Sequence, residues 1–152
     1  ARTLASSAMA TPVSPEDGLL AGRRVLLVED NEMNRRVATL FLEQAGATVA
    51  QAESGALALQ RLREDTFDIA LMDIQMPGMD GFETTRRIRH ELGLSPKRLP
   101  VVALTATTLS DTEQRTKAAE MSDYILKPFH PDLLCQRVAE VLEANEGAAA
   151  AT

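Results

Sequence analysis

The chain has 152 residues, a net charge of -6 and a pI near 4.9. This acidic balance argues against a nucleic-acid-binding surface, and the 45% hydrophobic content suits one globular domain with a substantial core. The single cysteine, Cys135, excludes an internal disulfide and favours a reducing compartment. No apolar run approaches the ~20 residues of a membrane span, and the first residues show no secretory pattern. We therefore expect a cytoplasmic segment without membrane contact, within a parent protein that could itself be membrane-anchored.

The two ends of the chain differ in composition from the part between them. Residues 1–21 are rich in alanine, serine, threonine and proline, which predicts a flexible linker. Residues 146–152 are mostly alanine and predict a disordered tail. The remaining residues, 22–145, are predicted to form the domain, and this organisation suggests a piece of a longer protein.

The first half of the domain alternates between short apolar runs and amphipathic stretches. In chain order it predicts a strand at 24–28, a helix at about 33–45, a strand at about 48–51, a helix after Ser54 as N-cap, and a strand at 69–72. In the first helix, one apolar face is formed at spacing i, i+4, i+7, i+8 by Met33, Val37, Leu40 and Phe41. Gly46 is the predicted stop of this helix.

The second half continues the alternation. It predicts a loop at 73–81, a helix at about 82–90, a strand at 101–104, a helix opened by a Ser110/Glu113 capping box, a strand at 124–126, and a helix from Pro131 that buries Leu134, Val138 and Val141. Strands that alternate with helices at this spacing form parallel sheets through right-handed crossovers. The predicted fold is therefore α/β, a doubly wound (βα)5 five-stranded parallel sheet.

Polar residues end four of the predicted strands: Glu29 and Asp30, Asp73, Thr105, and Lys127. Ligands of open α/β sheets bind at the carboxyl ends of the strands. Three carboxylates gathered there repel one another unless a cation joins them, and hard oxygen ligands suit Mg²⁺. An Asp carboxylate can attack phosphorus to form an acyl phosphate, while a lysine and a hydroxyl can bind phosphoryl oxygens. The set therefore predicts magnesium-dependent phosphoryl transfer.

Four separated motifs resemble those of a response-regulator receiver domain. They are VEDN at residues 28–31, MDIQMPGMDG at 72–81, LTA at 104–106 and YILKPF at 124–129. The resemblance covers roughly residues 23–144 and is specific, because the motifs occur in the right order and spacing. It implies the flavodoxin-like strand order 2-1-3-4-5.

The resemblance also implies a role for each residue of the acidic cluster. Asp73 would be the phosphorylated aspartate and would receive its phosphoryl group from a phosphohistidine on a partner. Asp30 and Glu29 would hold Mg²⁺, Glu29 through water, and the backbone carbonyl of Gln75 would complete the metal site. Gln75 and Thr107 would tune the rate of dephosphorylation. The domain would thus catalyse its own phosphorylation and dephosphorylation.

The remaining motif residues would couple phosphorylation to a conformational switch. Thr105 would bond a phosphoryl oxygen and move toward it, and Tyr124 would then turn inward. Lys127 would pair with the phosphoryl group, and its bond to Pro128 would be cis, an uncommon state. One departure is Glu120, where many relatives have glycine. A residue other than glycine in a left-handed helix cap costs roughly 1 kcal/mol, which predicts a difference in the turn that ends the helix after Ser110.

A finer resemblance concerns the parent protein and its partners. The segment NEMN at residues 31–34 and the DIQMP run at 73–77 are similar to receivers of hybrid sensor histidine kinases. This implies the C-terminal receiver of such a kinase, with a histidine kinase or histidine phosphotransfer domain as partner. We expect that partner to dock on the exposed side of the first helix, at Asn34, Arg35 and Ala38.

Other functions of an α/β sheet are less consistent with these residues. A haloacid-dehalogenase-type phosphatase requires a second Asp where this chain has Gln75, and the acids Glu29 and Asp30 would repel a flavin phosphate. A dinucleotide-binding domain requires a Gly-rich turn that is absent here. The alternatives that stay open are a stand-alone or output-linked response regulator and a pseudo-receiver that is never phosphorylated.

Overall fold

Strands and helices alternate along the chain in the computed structural model, which describes residues 18–106, 110–127 and 130–150. The strands are β1 (Arg24–Val28), β2 (Thr48–Ala52), β3 (Ile69–Asp73), β4 (Val101–Thr105) and β5 (Asp123–Leu126). The helices are α1 (Glu32–Gln44), α2 (Gly55–Glu64), α3 (Gly81–His90), α4 (Ser110–Ala118) and α5 (Pro131–Ala150). All strand pairs are parallel, in the order β2-β1-β3-β4-β5, which confirms the predicted fold and strand order.

The strand register brings the carboxyl ends of β1, β3, β4 and β5 to one edge of the sheet. Val28 pairs with Met72, and Thr105 pairs with Leu126. The central strands β3 and β4 are buried along their whole length because helices cover both faces of the sheet. Polar residues that follow these pairs therefore meet at the edge where the chain leaves each strand.

Two apolar layers hold the helices to the sheet. One layer lies under α1 and α5, with Leu42 and Val138 among its members, and the other lies under α2 and α3, with Leu59 and Ile88. None of the helices in the described part of the chain combines the length and apolarity needed to cross a bilayer.

Helix α1 turns a different face to the core from the one that its large apolar residues predicted. Apart from the half-buried Phe41, those residues are exposed: Met33 (67%), Val37 (37%) and Leu40 (54%). The buried stripe contains Ala38, Leu42 and Ala45, again at helical spacing. Small alanines let the helix approach the sheet closely, so tertiary packing outweighed side-chain size. The prediction that Ala38 is exposed was therefore wrong.

The segment before β1 is packed against the end of α1. Leu20 is fully buried, and its N–H donates to the carbonyl of Ala45 at 2.8 Å. Gly46 ends the helix as predicted, with φ of +101°, and a Cβ there would lie 3.0 Å from the Cα of Ala21. The predicted linker of residues 1–21 therefore extends too far, because burial of Leu20 joins residues near 20 to the domain.

Helix α5 continues past the predicted domain end at residue 145. It reaches Ala150, and Nη2 of Arg23 donates to Oε1 of Glu146 at 2.8 Å, which ties the helix to the start of β1. The predicted tail of residues 146–152 therefore starts too early. Of the three residues predicted to face inward, Leu134 and Val138 are buried and Val141 is half-buried.

The turn after α4 is left-handed although it has no glycine. Glu120 has φ of 61°, and the N–H of Met121 donates to the carbonyl of Thr116 at 2.9 Å. Arg89 donates to the Glu120 carbonyl from both Nε (3.1 Å) and Nη2 (2.7 Å), and burial lowers the pKa of Arg89 to about 10. The turn is thus left-handed at a non-glycine residue, and the buried guanidinium of Arg89 holds the carbonyl of that residue.

Candidate metal centre at the carboxyl edge of the sheet

Three carboxylates meet where β1 and β3 end. One oxygen each from Glu29, Asp30 and Asp73 can be chosen so that all lie within 4.8 Å of one another. Glu29 is 1% exposed and Asp73 is 2% exposed, whereas Asp30 is open to solvent. The strand register thus brings together the acids that the sequence singled out and places two of them below the surface.

Lys127 lies between the two buried acids. Its Nζ is 2.9 Å from Oε1 of Glu29 and 3.1 Å from Oδ1 of Asp73. The backbone N–H of Lys127 donates to the carbonyl of Thr105 at 2.7 Å, which fixes the lysine to the end of β4. Burial lowers the pKa of Lys127, but the contacts with Glu29 and Asp73 outweigh it and raise that pKa above its ordinary value. The lysine therefore stays charged.

The pKa of the Asp73 carboxyl is raised above its ordinary value. Burial is the main reason that its pKa is raised, and neighbouring Glu29 adds to the effect. The N–H of Gln75, 3.0 Å from Oδ1, and the charge of Lys127 act in the opposite direction. Three acids against one lysine leave the site with excess negative charge, which a divalent cation would neutralise.

The donor atoms fit a magnesium ion. Oε1 of Glu29 is buried, and Nζ of Lys127 contacts it at 2.9 Å. Its other oxygen, Oε2, accepts the N–H of Asn31 at 3.2 Å. A carboxylate oxygen can accept more than one partner, so contact with Lys127 leaves Glu29 able to face a cation or its bound water, and carboxylate oxygens are the ligands that Mg²⁺ prefers. The residues that would hold the ion are Glu29, Asp30 and Asp73.

Gly81 lets α3 begin directly against the Asp73 loop. A Cβ at Gly81 would lie 2.6 Å from the carbonyl oxygen of Asp73 and 2.7 Å from the Cα of Ile74. Asp80 caps the helix by accepting the N–H of Glu83 at 2.8 Å. Sequence reasoning placed Gly81 in the loop without a role; its only signal was a glycine directly after an Asp in a capping position.

The predicted switch residues lie on β4 and β5. Thr105 is buried at the end of β4, and Tyr124 is half-buried on β5, paired with Ala103. Gln75 is exposed next to Asp73. The remaining predictions, on Thr107, on the bond to Pro128 and on the Ser110/Glu113 capping box, concern residues or side chains that lie outside the described ones.

Arg35 does not lie on an open helix surface as predicted. Its side chain is 14% exposed, and Nη1 donates to the backbone carbonyl of Glu29 at 2.9 Å. The prediction was wrong because the guanidinium folds back from α1 onto the end of β1. The sequence carried no signal for this contact, because an arginine near the start of a helix is usually exposed.

Comparison with known proteins gives consistent results. The family described as "Response regulator receiver domain" matches residues 25–139. Probable histidine kinase 4 of Oryza sativa subsp. japonica is 39% identical over 144 residues, which cover 82% of this chain and 14% of the relative. Sensor protein GacS of Pseudomonas syringae pv. syringae is 40% identical over 116 residues, which cover 76% of this chain and 13% of the relative.

Solved structures give the same result for the fold. Chemotaxis protein CheY4 of Vibrio cholerae matches with a TM-score of 0.74 and 31% identity, covering 80% of this chain and 99% of that one. The aligned part of the chain therefore spans nearly all of the CheY4 chain but only about 14% of the kinase relative.

Proposed function

Because the chain belongs to the response regulator receiver domain family, we propose that Asp73 accepts a phosphoryl group from a phosphohistidine in a magnesium-dependent reaction. The observation that carries the proposal is the buried Asp73 carboxylate, held 3.1 Å from Lys127 within a cluster of three acids. A pseudo-receiver would have no need to bury Glu29 and Asp73 beside each other, since two adjacent buried acids cost stability.

The reaction forms one bond and breaks one. A carboxylate oxygen of Asp73 attacks phosphorus, the P–N bond of the phosphohistidine breaks, and its electron pair returns to the imidazole, leaving an acyl phosphate. Asp30, Asp73 and the backbone carbonyl of Gln75 would hold Mg²⁺, Glu29 would hold it through water, and the ion would neutralise charge on the phosphoryl oxygens. The contacts of Oδ1 with Gln75 and Lys127 fix the orientation of the attacking carboxylate.

Lys127 and Thr105 would link phosphorylation of Asp73 to a conformational change at the surface of the domain. In the unphosphorylated domain Lys127 contacts two acids, and a phosphoryl group on Asp73 would offer it a stronger partner. The Thr105 hydroxyl would bond a second phosphoryl oxygen. Movement at the end of β4 would reach β5 through the bond from Lys127 to the Thr105 carbonyl, and Tyr124 would follow.

The exposed residues Met33, Val37 and Leu40, here called the α1 patch, form the docking surface of this proposal. They replace the predicted set of Asn34, Arg35 and Ala38, because Asn34 and Arg35 are half-buried and Ala38 is buried. The patch begins two residues after Asn31, which follows the acid pair, so a partner seated on it would reach the mouth of the site. An apolar stripe on a helix suits an amphipathic helix that bears the histidine.

We further propose that the parent protein is a hybrid sensor histidine kinase whose receiver is cytoplasmic. The kinase relatives and the NEMN segment at residues 31–34 support this over a stand-alone or output-linked regulator. Histidine kinases or histidine phosphotransfer domains are then the partners.

Two phosphoryl donors together test the function and the docking surface. Acetyl phosphate with Mg²⁺ should add one phosphoryl group, which tandem mass spectrometry should locate on Asp73. A phosphorylated histidine phosphotransfer domain should label the same residue. Leu40→Ser should slow transfer from the protein donor about 10-fold, the effect of losing one well-buried interface contact, and should leave labelling by acetyl phosphate unchanged.

Leu19→Ser is the matched control, because Leu19 is an exposed leucine beside Leu20, which packs at the opposite end of α1 from Asp73. Labelling of another residue, or none with either donor, would contradict the proposed function. Equal transfer rates for Leu40→Ser and Leu19→Ser would contradict only the docking surface.

A further inference from the structure

We propose that Arg35 is a positioning residue for the metal centre: its guanidinium fixes the end of β1 and so sets where the carboxylates of Glu29 and Asp30 point. The inference rests on the proposed magnesium-dependent function and adds a residue that does not itself touch the metal.

The contacts of Arg35 join three elements. Nη1 donates to the carbonyl of Glu29 at 2.9 Å, and Nε donates to Oε1 of Gln51 on β2 at 3.2 Å. Gln51 is held in turn, because its Nε2 donates to the hydroxyl of Thr39 at 3.1 Å. The arginine and its acceptor are thus both anchored, and the guanidinium fork has one orientation that satisfies both bonds.

The position of Glu29 explains why such a donor is needed. The β1–β2 ladder ends with the pair of Val28 and Ala52, and the N–H of Glu29 still donates to the Ala52 carbonyl at 3.0 Å. The Glu29 carbonyl lies beyond the last pair of the ladder. Arg35 donates to this carbonyl from the first turns of α1. The backbone N–H and the backbone C=O of Glu29 are therefore both held by hydrogen bonds. A fixed backbone limits the directions that the side chains of Glu29 and the adjacent Asp30 can take.

An ion pair does not account for the arginine. Its nearest carboxylate partner among the described residues, Oε2 of Glu53, is 4.0 Å from Nη2 and lies on a side chain that is 70% exposed. Exposed pairs of this kind contribute little. The two short bonds from Arg35 go to a backbone carbonyl and a neutral amide, as expected for a residue that sets geometry.

Loss of the charge of Arg35 and loss of its hydrogen bonds would change the affinity for Mg²⁺ in opposite directions. The direction of the measured change therefore tests the proposal. Removing a cation near three acids would strengthen binding of Mg²⁺ if the charge of Arg35 alone mattered. Removing the bonds that orient the ligands would weaken it. Changes to groups that orient metal ligands commonly cost 10- to 100-fold in affinity.

The experiment measures Mg²⁺ affinity by calorimetry for the wild type, Arg35→Gln, Arg35→Lys and Arg36→Gln, with a melting temperature for each. We expect Arg35→Gln to bind about 10-fold more weakly. Arg35→Lys keeps the charge but lacks the fork, so it should also bind more weakly. Arg36 is the matched control, since its side chain is 71% exposed and pairs only distantly with Glu32 (3.8 Å); Arg36→Gln should bind as the wild type does or slightly more tightly.

The amide resonances of Glu29 and Asp30 without metal provide a second readout. They should shift in Arg35→Gln and stay in place in Arg36→Gln. Wild-type or tighter affinity in Arg35→Gln would overturn the inference. If the wild type itself bound no Mg²⁺, the proposed function would fail, and unchanged amide resonances in Arg35→Gln would separately overturn the positioning role.

Discussion

Asp73→Asn is expected to abolish phosphoryl uptake from acetyl phosphate and from a phosphohistidine donor, while the domain stays folded. An amide in place of the carboxylate is a poor nucleophile toward phosphorus and a weaker magnesium ligand. Intact-mass measurement after incubation with donor and Mg²⁺ checks the outcome. Asp132→Asn is the control, because Asp132 is exposed on α5 and should leave uptake unchanged. Residual labelling of Asp73→Asn would mean that another residue accepts the group.

The same substitution should raise stability at neutral pH when no metal is present. Asp73 has a raised pKa in the folded domain, mainly through burial. Because its pKa is raised in the folded state, Asp73 contributes most to stability at pH values below its ordinary pKa of about 3.9. This contribution is lost as the pH rises through the folded-state pKa. Asn carries no such titration, so the stability gap between the two proteins should widen as the pH rises and close as it falls.

Thermal melts of the wild type and of Asp73→Asn from acidic to neutral pH, without metal, provide the measurement. Asp65 offers a control of opposite sign, since Arg24 lowers the pKa of Asp65 to about 2. A group whose pKa is lowered by folding stabilises the fold at pH values above its ordinary pKa. This contribution is lost as the pH falls through the folded-state pKa. Asp65→Asn should therefore lose stability at neutral pH. Equal pH profiles for Asp73→Asn and the wild type would contradict the account of burial.

Lys127→Ala is expected to slow phosphoryl uptake by about 100-fold, the effect of removing one preorganised donor from a developing charge. In the domain, Lys127 Nζ lies 3.1 Å from Oδ1 of Asp73, where the charge of the transferred group would develop. Initial rates with acetyl phosphate at saturating Mg²⁺ measure the effect. Lys117→Ala is the matched control, because Lys117 is an exposed lysine on α4.

Loss of Lys127 also leaves Glu29 and Asp73 without their common cation. The metal-free variant should therefore be destabilised by up to about 3 kcal/mol, the lower range for breaking a buried pair. Mg²⁺ bound at the proposed site would stabilise the folded state alone, so adding it should restore much of that loss. An unchanged rate would remove Lys127 from the reaction, and a melting temperature that Mg²⁺ does not restore would assign it a structural role instead.

The fold could be predicted because each strand is a short apolar run that ends at a polar residue. β3 and β4 are buried on both faces, so their composition alone separates them from the helices. Parallel order then places Glu29, Asp73 and Lys127 at one edge of the sheet without any knowledge of side-chain contacts. For this reason the acidic cluster could be located from the sequence.

Features that depend on contacts between distant elements could not be predicted in this way. Periodicity places Met33 and Leu40 on one face of α1, yet it does not show that a stripe of alanines packs more closely on the sheet. Arg35 resembles any exposed helix residue until its bond to the Glu29 carbonyl is known. Glu120 is strained in isolation, and its carbonyl is held by Arg89, which lies 31 residues earlier.

A titration of the isotope-labelled domain with Mg²⁺, followed by amide resonances, tests the central claim most directly. The account predicts that resonances of Glu29, Asp30 and Asp73 to Gln75 shift together and saturate with one dissociation constant, which Asp73→Asn weakens. Shifts that are absent at these residues, that do not saturate, or that are the same in Asp73→Asn would show that no divalent ion joins the three carboxylates, and the proposed chemistry would be wrong.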